Sequence, residues 1–341
     1  MIHDREILLA ALHHDPFDDT AWLALSDWLE EHDDPRRAEI LRSLRILRGM
    51  PRSPQRLSIE TRVQQLLAAG VVPFMPTLVN SLGMEFVLLP PLSGTVGSPE
   101  QEVGRYGDEP LTAVELTYPF YLATTAVTQS EYEQLMGKNP SAFQAKGRMR
   151  RKVADLDTST FPVESVTWHD ADAFCRRLSD LQAEQEQGRR YRLPTEIEWE
   201  LACRAEASQM TAFPYGPTLS PRFANFKAGA RAKTNLGRPA AVRSYPPNAF
   251  GLYEMIGNLW EWCADWFQDD QYQQMRRVDP PLAEVGERRN ARGGTYNLEA
   301  RRARSADRSS FEPNHRDSDL GFRVLLEWQP PRAKQTSSRR R

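Results

Sequence analysis

Cysteine is scarce in this chain, with three in 341 residues, at Cys175, Cys203 and Cys263. A small, odd number builds no disulfide framework and points to a reducing compartment. Long apolar runs are missing too, and none approaches the roughly 20 residues of a membrane span. The opening Met1-Ile2-His3-Asp4-Arg5-Glu6 lacks the basic-then-apolar form of a secretory signal. There is little excess charge of either sign: the formal net charge is −2. That argues against whole-molecule attraction to nucleic acid or to an anionic membrane. No phosphate-cradling glycine loop and no nucleophile elbow is found. The expectation is a cytoplasmic protein without membrane or nucleic-acid partners.

What is present is the composition of a globular protein, 40% apolar and 26% charged, with 25 prolines that favour an irregular, loop-rich fold. A chain of 341 residues leaves room for one large domain and a small one. Residues 1–48 read as a small all-α module, because Leu8, Leu9 and Leu12, then Trp22, Leu25, Trp28 and Leu29, recur at helical spacing. Asp18-Asp19 and Asp33-Asp34-Pro35 punctuate its helices, and its acidic pairs read as caps and solvated faces. Its phrasing resembles a short domain fused to the N-termini of diverse bacterial proteins. Residues 49–79 read as a linker, in which Pro51 to Pro54 breaks the helix and a short helical run follows from Ile59 to Ala69. After residue 327 the chain loses apolar periodicity, so 328–341 reads as a disordered basic tail.

Between these segments, Met84 to Leu89 and Pro119 to Leu122 read as strands. Helices are expected behind three boxes: Thr128-x-x-Glu131, Thr167-x-x-Asp170 and Thr195-x-x-Glu198. His169 beside Asp170 suggests a base with its orienting group, but a place in the first turn of a helix favours capping. The basic run from Lys146 to Lys152 reads as solvated surface.

The organising stretch runs from Gly251 to Trp266 and holds Trp260, Trp262 and Trp266 among the acids Glu254, Glu261 and Asp265. Trp260 and Trp262 alternate with Glu261 at period two, which suits a strand. Carboxylates held between tryptophan anchors, with carbonyls of the Gly257 turn, can supply part of the oxygen shell that Ca²⁺ prefers. The plainer alternative is solvent-facing acids on a core of tryptophans.

This stretch resembles the GLYDM-GN-WEW signature of the formylglycine-generating enzymes, the sulfatase-modifying factor family. The phrases around Phe161 to Cys175, Tyr191 to Arg204, Arg292-Gly293-Gly294-Thr295-Tyr296, Arg304 to Arg308 and Leu320-Gly321-Phe322-Arg323 follow the same family order. The resemblance covers about 80–327 and implies an α+β fold of the C-type-lectin-like kind, with few regular strands. It implies a structural calcium at Glu254, Gly257, Leu259 and Glu261. It also implies a second calcium at Asn225 and Phe226, where Thr234 falls in the place of the expected acid.

The enzymes of that family hold Cu(I) with two cysteines between the Gly-Gly turn and the R-x-A-x-R segment, since a soft thiolate pair selects Cu(I). Here that interval, Asn297-Leu298-Glu299-Ala300-Arg301-Arg302-Ala303, has no cysteine, so no copper and no catalytic residue is expected. Nor do the six histidines offer the H-x-x-x-H-x-E spacing of the related iron-dependent sulfoxide synthases. In place of the cysteines stand Tyr296, Asn297, Glu299, Arg301, Arg302 and Arg304, side chains suited to a carboxylate, phosphate or peptide group in a cleft. The alternative is salt bridging of these arginines to Glu312, Asp317 and Asp319. The leading expectation is a calcium-stabilised module that binds a peptide, protein or small ligand. An oxidoreductase with a divergent metal site is the second, and a lectin-type display scaffold with a diversified Asn297 to Asp319 segment the third.

Overall fold

The computed structural model describes residues 2–207, 211–229 and 234–330. Four helices come first: α1 (Ile2–His14), α2 (Asp19–His32), α3 (Pro35–Leu47) and α4 (Pro54–Ala68). Asp18, Asp34 and Ser53 cap the last three by accepting first-turn N–H groups. α3 ends at Leu47 and the next helix begins at Pro54, ahead of the expected Ile59, because proline's missing N–H costs nothing in the first turn. Trp22, Leu25 and Leu29 of α2 are buried with Ile40, Leu41 and Leu44 of α3, as the helical spacing predicts.

A five-stranded antiparallel sheet follows in the order β1 (Thr77–Val79), β2 (Glu85–Leu89), β5 (Phe120–Ala123), β11 (Leu325–Glu327) and β6 (Tyr191–Arg192). A four-stranded sheet has the order β10 (Leu320–Gly321), β7 (Trp260–Trp266), β8 (Arg289–Arg292) and β9 (Arg308–Phe311), parallel between β10 and β7 and antiparallel elsewhere. The hairpin of β3 (Leu92–Val96) and β4 (Thr112–Leu116) stands apart. The remaining helices are α5 (Gln129–Met136), α6 (Trp168–Ser179), α7 (Gln182–Glu186), α8 (Glu196–Arg204) and α9 (Gln271–Gln274), with 3₁₀ turns at Arg150–Lys152 and Ala300–Ala303. The architecture is α+β with short strands. None of the described helices is long and apolar enough to cross a membrane.

Capping boxes start α5, α6 and α8 where the sequence places them. Asp170 spends its carboxylate on Thr167 and so is a cap, not the orienting group of His169. In α8 the structure adds what spacing does not show: Glu196, Glu198 and Glu200 are all buried. A buried carboxylate needs a partner, and each finds an arginine. Glu196 binds Arg308 at 2.8 Å, Glu198 binds Arg192 at 2.7 Å, and Glu200 binds Arg204 at 2.8 Å and also Arg292.

The apolar core is continuous from Leu12 in α1 to Leu326 in β11. The helical segment is therefore packed onto the sheet. Polar ties accompany this packing: His13 Nδ1 lies 2.9 Å from the Tyr121 hydroxyl, and Arg56 Nη2 donates to the Glu206 carbonyl at 2.7 Å. Trp328, at the head of the expected tail, is docked by its indole N–H on the His13 carbonyl, 3.1 Å away. Residues 331–341 of that tail lie outside the described residues.

Candidate functional site

The Gly251 to Trp266 stretch enters as a tight loop, with Gly251, Glu254, Gly257 and Asn258 all at positive φ, and leaves as β7. Gly257 has to be glycine, since a Cβ there would meet the Asn225 carbonyl oxygen at 2.5 Å. The adjacent asparagines lock the turn. Asn258 N donates to the Asn225 carbonyl at 2.8 Å, and Asn225 Nδ2 donates to Asn258 Oδ1 at 3.1 Å. Gly257 N reaches the Gly293 carbonyl at 2.7 Å, which joins this loop to the Gly293-Gly294 turn.

The two acids of this stretch have different surroundings. Glu261 is buried, with Arg323 donating to both of its oxygens at 2.6 and 2.8 Å and Trp199 Nε1 donating to Oε2 at 2.8 Å. One lone-pair direction, on Oε1, is left. Glu254 is buried with two backbone partners, the N–H groups of Arg243 at 3.0 Å and Tyr245 at 3.1 Å. Burial pushes its carboxyl up to about 7, the backbone N–H groups and Arg323 opposing. No backbone N–H of the described residues donates to the carbonyl oxygens of Gly257 or Leu259. Glu254 and these two carbonyls are oxygen donors of the kind a hard cation takes, and Glu261 keeps one lone pair, but among the described residues no three His, Cys, Asp or Glu side chains gather into a metal-holding group. At the second expected position, Asn225 Oδ1 is buried and has no hydrogen-bond partner among the described residues, which also suits an oxygen-seeking cation.

The expected cleft residues do not share one surface. Tyr296 is buried and packs edge-on against Phe143, 5.8 Å between ring centres. Asn297 is exposed and bonded to Thr295, and Glu299 and Arg301 form an exposed pair at 3.7 Å. Arg304 turns inward, buried on Glu109 at 2.7 Å and Glu102 at 2.6 Å, so it is structural and not a cleft residue. These are also not the partners weighed from sequence. The guanidinium groups pair instead with Glu102, Glu109 and Glu196 from distant segments and with the neighbouring Asp307.

Arg302 of this set lines an open groove. Its guanidinium lies over the rings of Tyr106, at 5.2 Å, and Trp260, at 5.4 Å, and pairs with Asp307 at 3.1 Å. The groove, ≈570 Å³ and open to solvent, also has Asp108, Asp269, Asp270 and Gln273 in its wall. Burial raises the Asp108 carboxyl, opposed by Arg308. Arg308 is itself held by Glu196. The groove thus offers an aromatic-backed guanidinium and carboxylates, which is binding chemistry. Sequence reading misses Tyr106, Asp108 and Asp269-Asp270 because they sit in loops with no period and no motif.

No thiol lines the groove. Cys175, Cys203 and Cys263 are free and buried. Burial pushes the Cys203 thiol up to about 12 and raises those of Cys175 and Cys263 as well. Such thiols are poor ligands and poor nucleophiles.

A family model described as the sulfatase-modifying factor enzyme 1-like domain matches residues 76–328. The chain is 32% identical over 218 residues to the formylglycine-generating enzyme of Bos taurus, covering 59% of this chain and 55% of that one. It is also 32% identical over 170 residues to the inactive C-alpha-formylglycine-generating enzyme 2 of Bos taurus, covering 48% of this chain and 49% of the other. The chain spans about half the length of the curated relatives it matches. Among solved structures it is similar to PvdO from Pseudomonas aeruginosa, with a TM-score of 0.61 and 28% identity over 74% of this chain and 97% of that chain.

Proposed function

The chain belongs to the sulfatase-modifying factor enzyme 1-like family, and from that premise we propose that it is a calcium-stabilised recognition module, not a copper-dependent oxidase. It binds a peptide, a protein segment or a small ligand in the groove beside Arg302. The observation that carries this reading is the placement of Arg302 over Trp260 and Tyr106, in the interval where the family's enzymes carry cysteines. A guanidinium backed by aromatic rings is held ready to bind and cannot serve as a thiolate ligand to Cu(I). That one similar relative is named an inactive enzyme is in keeping with this reading.

Calcium in this proposal is one ion, held by Glu254, the carbonyls of Gly257 and Leu259, and Glu261. When bound, it supplies positive charge that keeps Glu254 ionised and fixes the loop leading into β7. The protein's own residues do the rest: Asn258 locks the turn, Gly293 receives it, and Trp260 carries the loop's order to Arg302. The buried free cysteines suit a reducing, cytoplasmic setting.

The test is selection of displayed peptides on the intact protein, with counter-selection on Arg302→Ala. Sequences enriched on the parent and lost on R302A support the proposal. Equal enrichment on both, or none on either, refutes binding of a peptide or protein segment in this groove.

A further inference from the structure

A second pocket, ≈260 Å³, opens on another part of the protein, where the segment ahead of β1 meets the loop around Arg243 and Tyr253. We propose that it binds a small organic monocarboxylate with an apolar body. This site is separate from the Arg302 groove and does not rest on the reading of that groove.

The pocket is composite. Arg37, Val72, Pro73, Phe74 and Met75 come from the part of the chain ahead of residue 76, where the family match begins. Val87, Phe250 and Tyr253 come from the family domain. The site therefore belongs to the junction of the two. Its wall is mixed: the buried side chains of Met75, Val87 and Phe250 give it an apolar side, and Arg37, Thr77, Glu85, Thr124 and Arg243 a polar one. Two guanidinium groups share that wall, each laid on an aromatic ring. Arg37 lies 5.2 Å from the centre of Phe74, and Arg243 lies 4.8 Å from the centre of Tyr253. Stacking fixes the plane of a guanidinium, so less freedom is lost when its N–H edge meets a carboxylate.

The protein leaves donors over on both arginines. A guanidinium carries five N–H groups. Arg37 directs Nε to the Val72 carbonyl at 3.0 Å and Nη1 to Asp33 at 2.8 Å. Arg243 directs Nη2 to Glu85 and, at 3.0 Å, to Thr124. The two arginines and two acids sum to zero formal charge, which favours a singly charged ligand over a phosphate dianion. The size of the pocket, at the lower end for ligand sites, limits the body to one ring or a short chain.

The backbone beside the pocket is strained as well. Arg243 sits at φ 63° and Glu254, whose carboxylate accepts the Arg243 N–H, sits at φ 47°. Non-glycine residues rarely adopt this conformation, and where it is kept it collects at ligand clamps.

Calorimetric titration of the full chain tests the proposal with 3-phenylpropionate, its neutral amide and phenyl phosphate as probes. Expected is saturable binding of 3-phenylpropionate, at least about tenfold tighter than the amide and the phosphate. Arg37→Gln and Arg243→Gln should each weaken it by about tenfold or more. If either variant does not fold, Arg37→Lys or Arg243→Lys, which keep the charge and lose the fork, report in its place. No binding of the carboxylate, equal binding of the amide, or unchanged affinity in the arginine variants would overturn the proposal, whatever becomes of the Arg302 groove.

Discussion

Arg323 and Glu261 meet as a two-pronged pair inside the protein, Nε on Oε2 at 2.6 Å and Nη2 on Oε1 at 2.8 Å. The same guanidinium donates to the Ala123 carbonyl at 3.0 Å and the Tyr253 carbonyl at 2.9 Å. One residue thus ties β5, β7 and the Glu254 loop together. Replacing it leaves a carboxylate buried without its partner, at a cost of about 3–5 kcal/mol. Arg323→Met should lose that much in urea unfolding, and Arg323→Lys should recover little of it, lacking the fork. A loss below about 1 kcal/mol would show that Glu261 finds another partner.

Glu254 gives a pH dependence with a definite sign. Its folded value, about 7, lies above its ordinary 4.5, so between those values the folded protein binds more protons than the unfolded chain. Its contribution to stability is present below about 4.5 and is lost as pH rises through 7. A shift of this size is worth about 3 kcal/mol at most. Asp265 and Asp307, also raised to about 7 by burial, act in the same direction. Thermal melts between pH 5 and 8 should show stability falling, and Glu254→Gln should flatten the slope. Calcium opposes the trend by favouring ionised Glu254, so its gain in Tm should be larger at pH 8 than at pH 5.5. An equal gain at both would separate calcium from Glu254.

Much of the scaffold is legible in the sequence where the signal is local. Thr128, Thr167 and Thr195 each stand three residues before an acid, and each starts a helix. Trp260 and Trp262 alternate with Glu261 and begin β7. Glu196 is not legible as a core residue, because its partner Arg308 lies 112 residues away; Glu200 has Arg204 one turn on, but its second partner, Arg292, lies 92 residues away. A run of charge looks solvated until its counter-charges are placed, and only the fold places them. For the same reason Arg302 and Arg304, two residues apart, read alike and end in a groove and in the core.

The three cysteines should be chemically silent in the folded state. All are buried and their thiols are raised. A thiol reagent such as DTNB should label almost none of them in the native protein and all three in denaturant. A thiol that reacts within seconds in the native protein would mean an exposed, low-pKa cysteine and would reopen thiolate chemistry.

The continuous core predicts one cooperative unit. Leu25 in α2 is fully buried and belongs to the same cluster as Leu326 in β11. Leu25→Ala should cost about 2–5 kcal/mol. It should also shift the tryptophan fluorescence and far-UV dichroism transitions together. Two separate transitions, with the later one unchanged, would show that the first helices unfold on their own.

In the proposed function, a calcium-stabilised binding surface stands where the family's enzymes hold copper. Elemental mass spectrometry tests it most directly, on protein exposed to Ca²⁺ and Cu(I) under reducing conditions and then gel-filtered. Calcium at about one per chain, lowered in Glu254→Gln, and copper below about a tenth per chain are expected. Copper at about one per chain, with O₂ consumed when a cysteine-containing peptide is added, would contradict it.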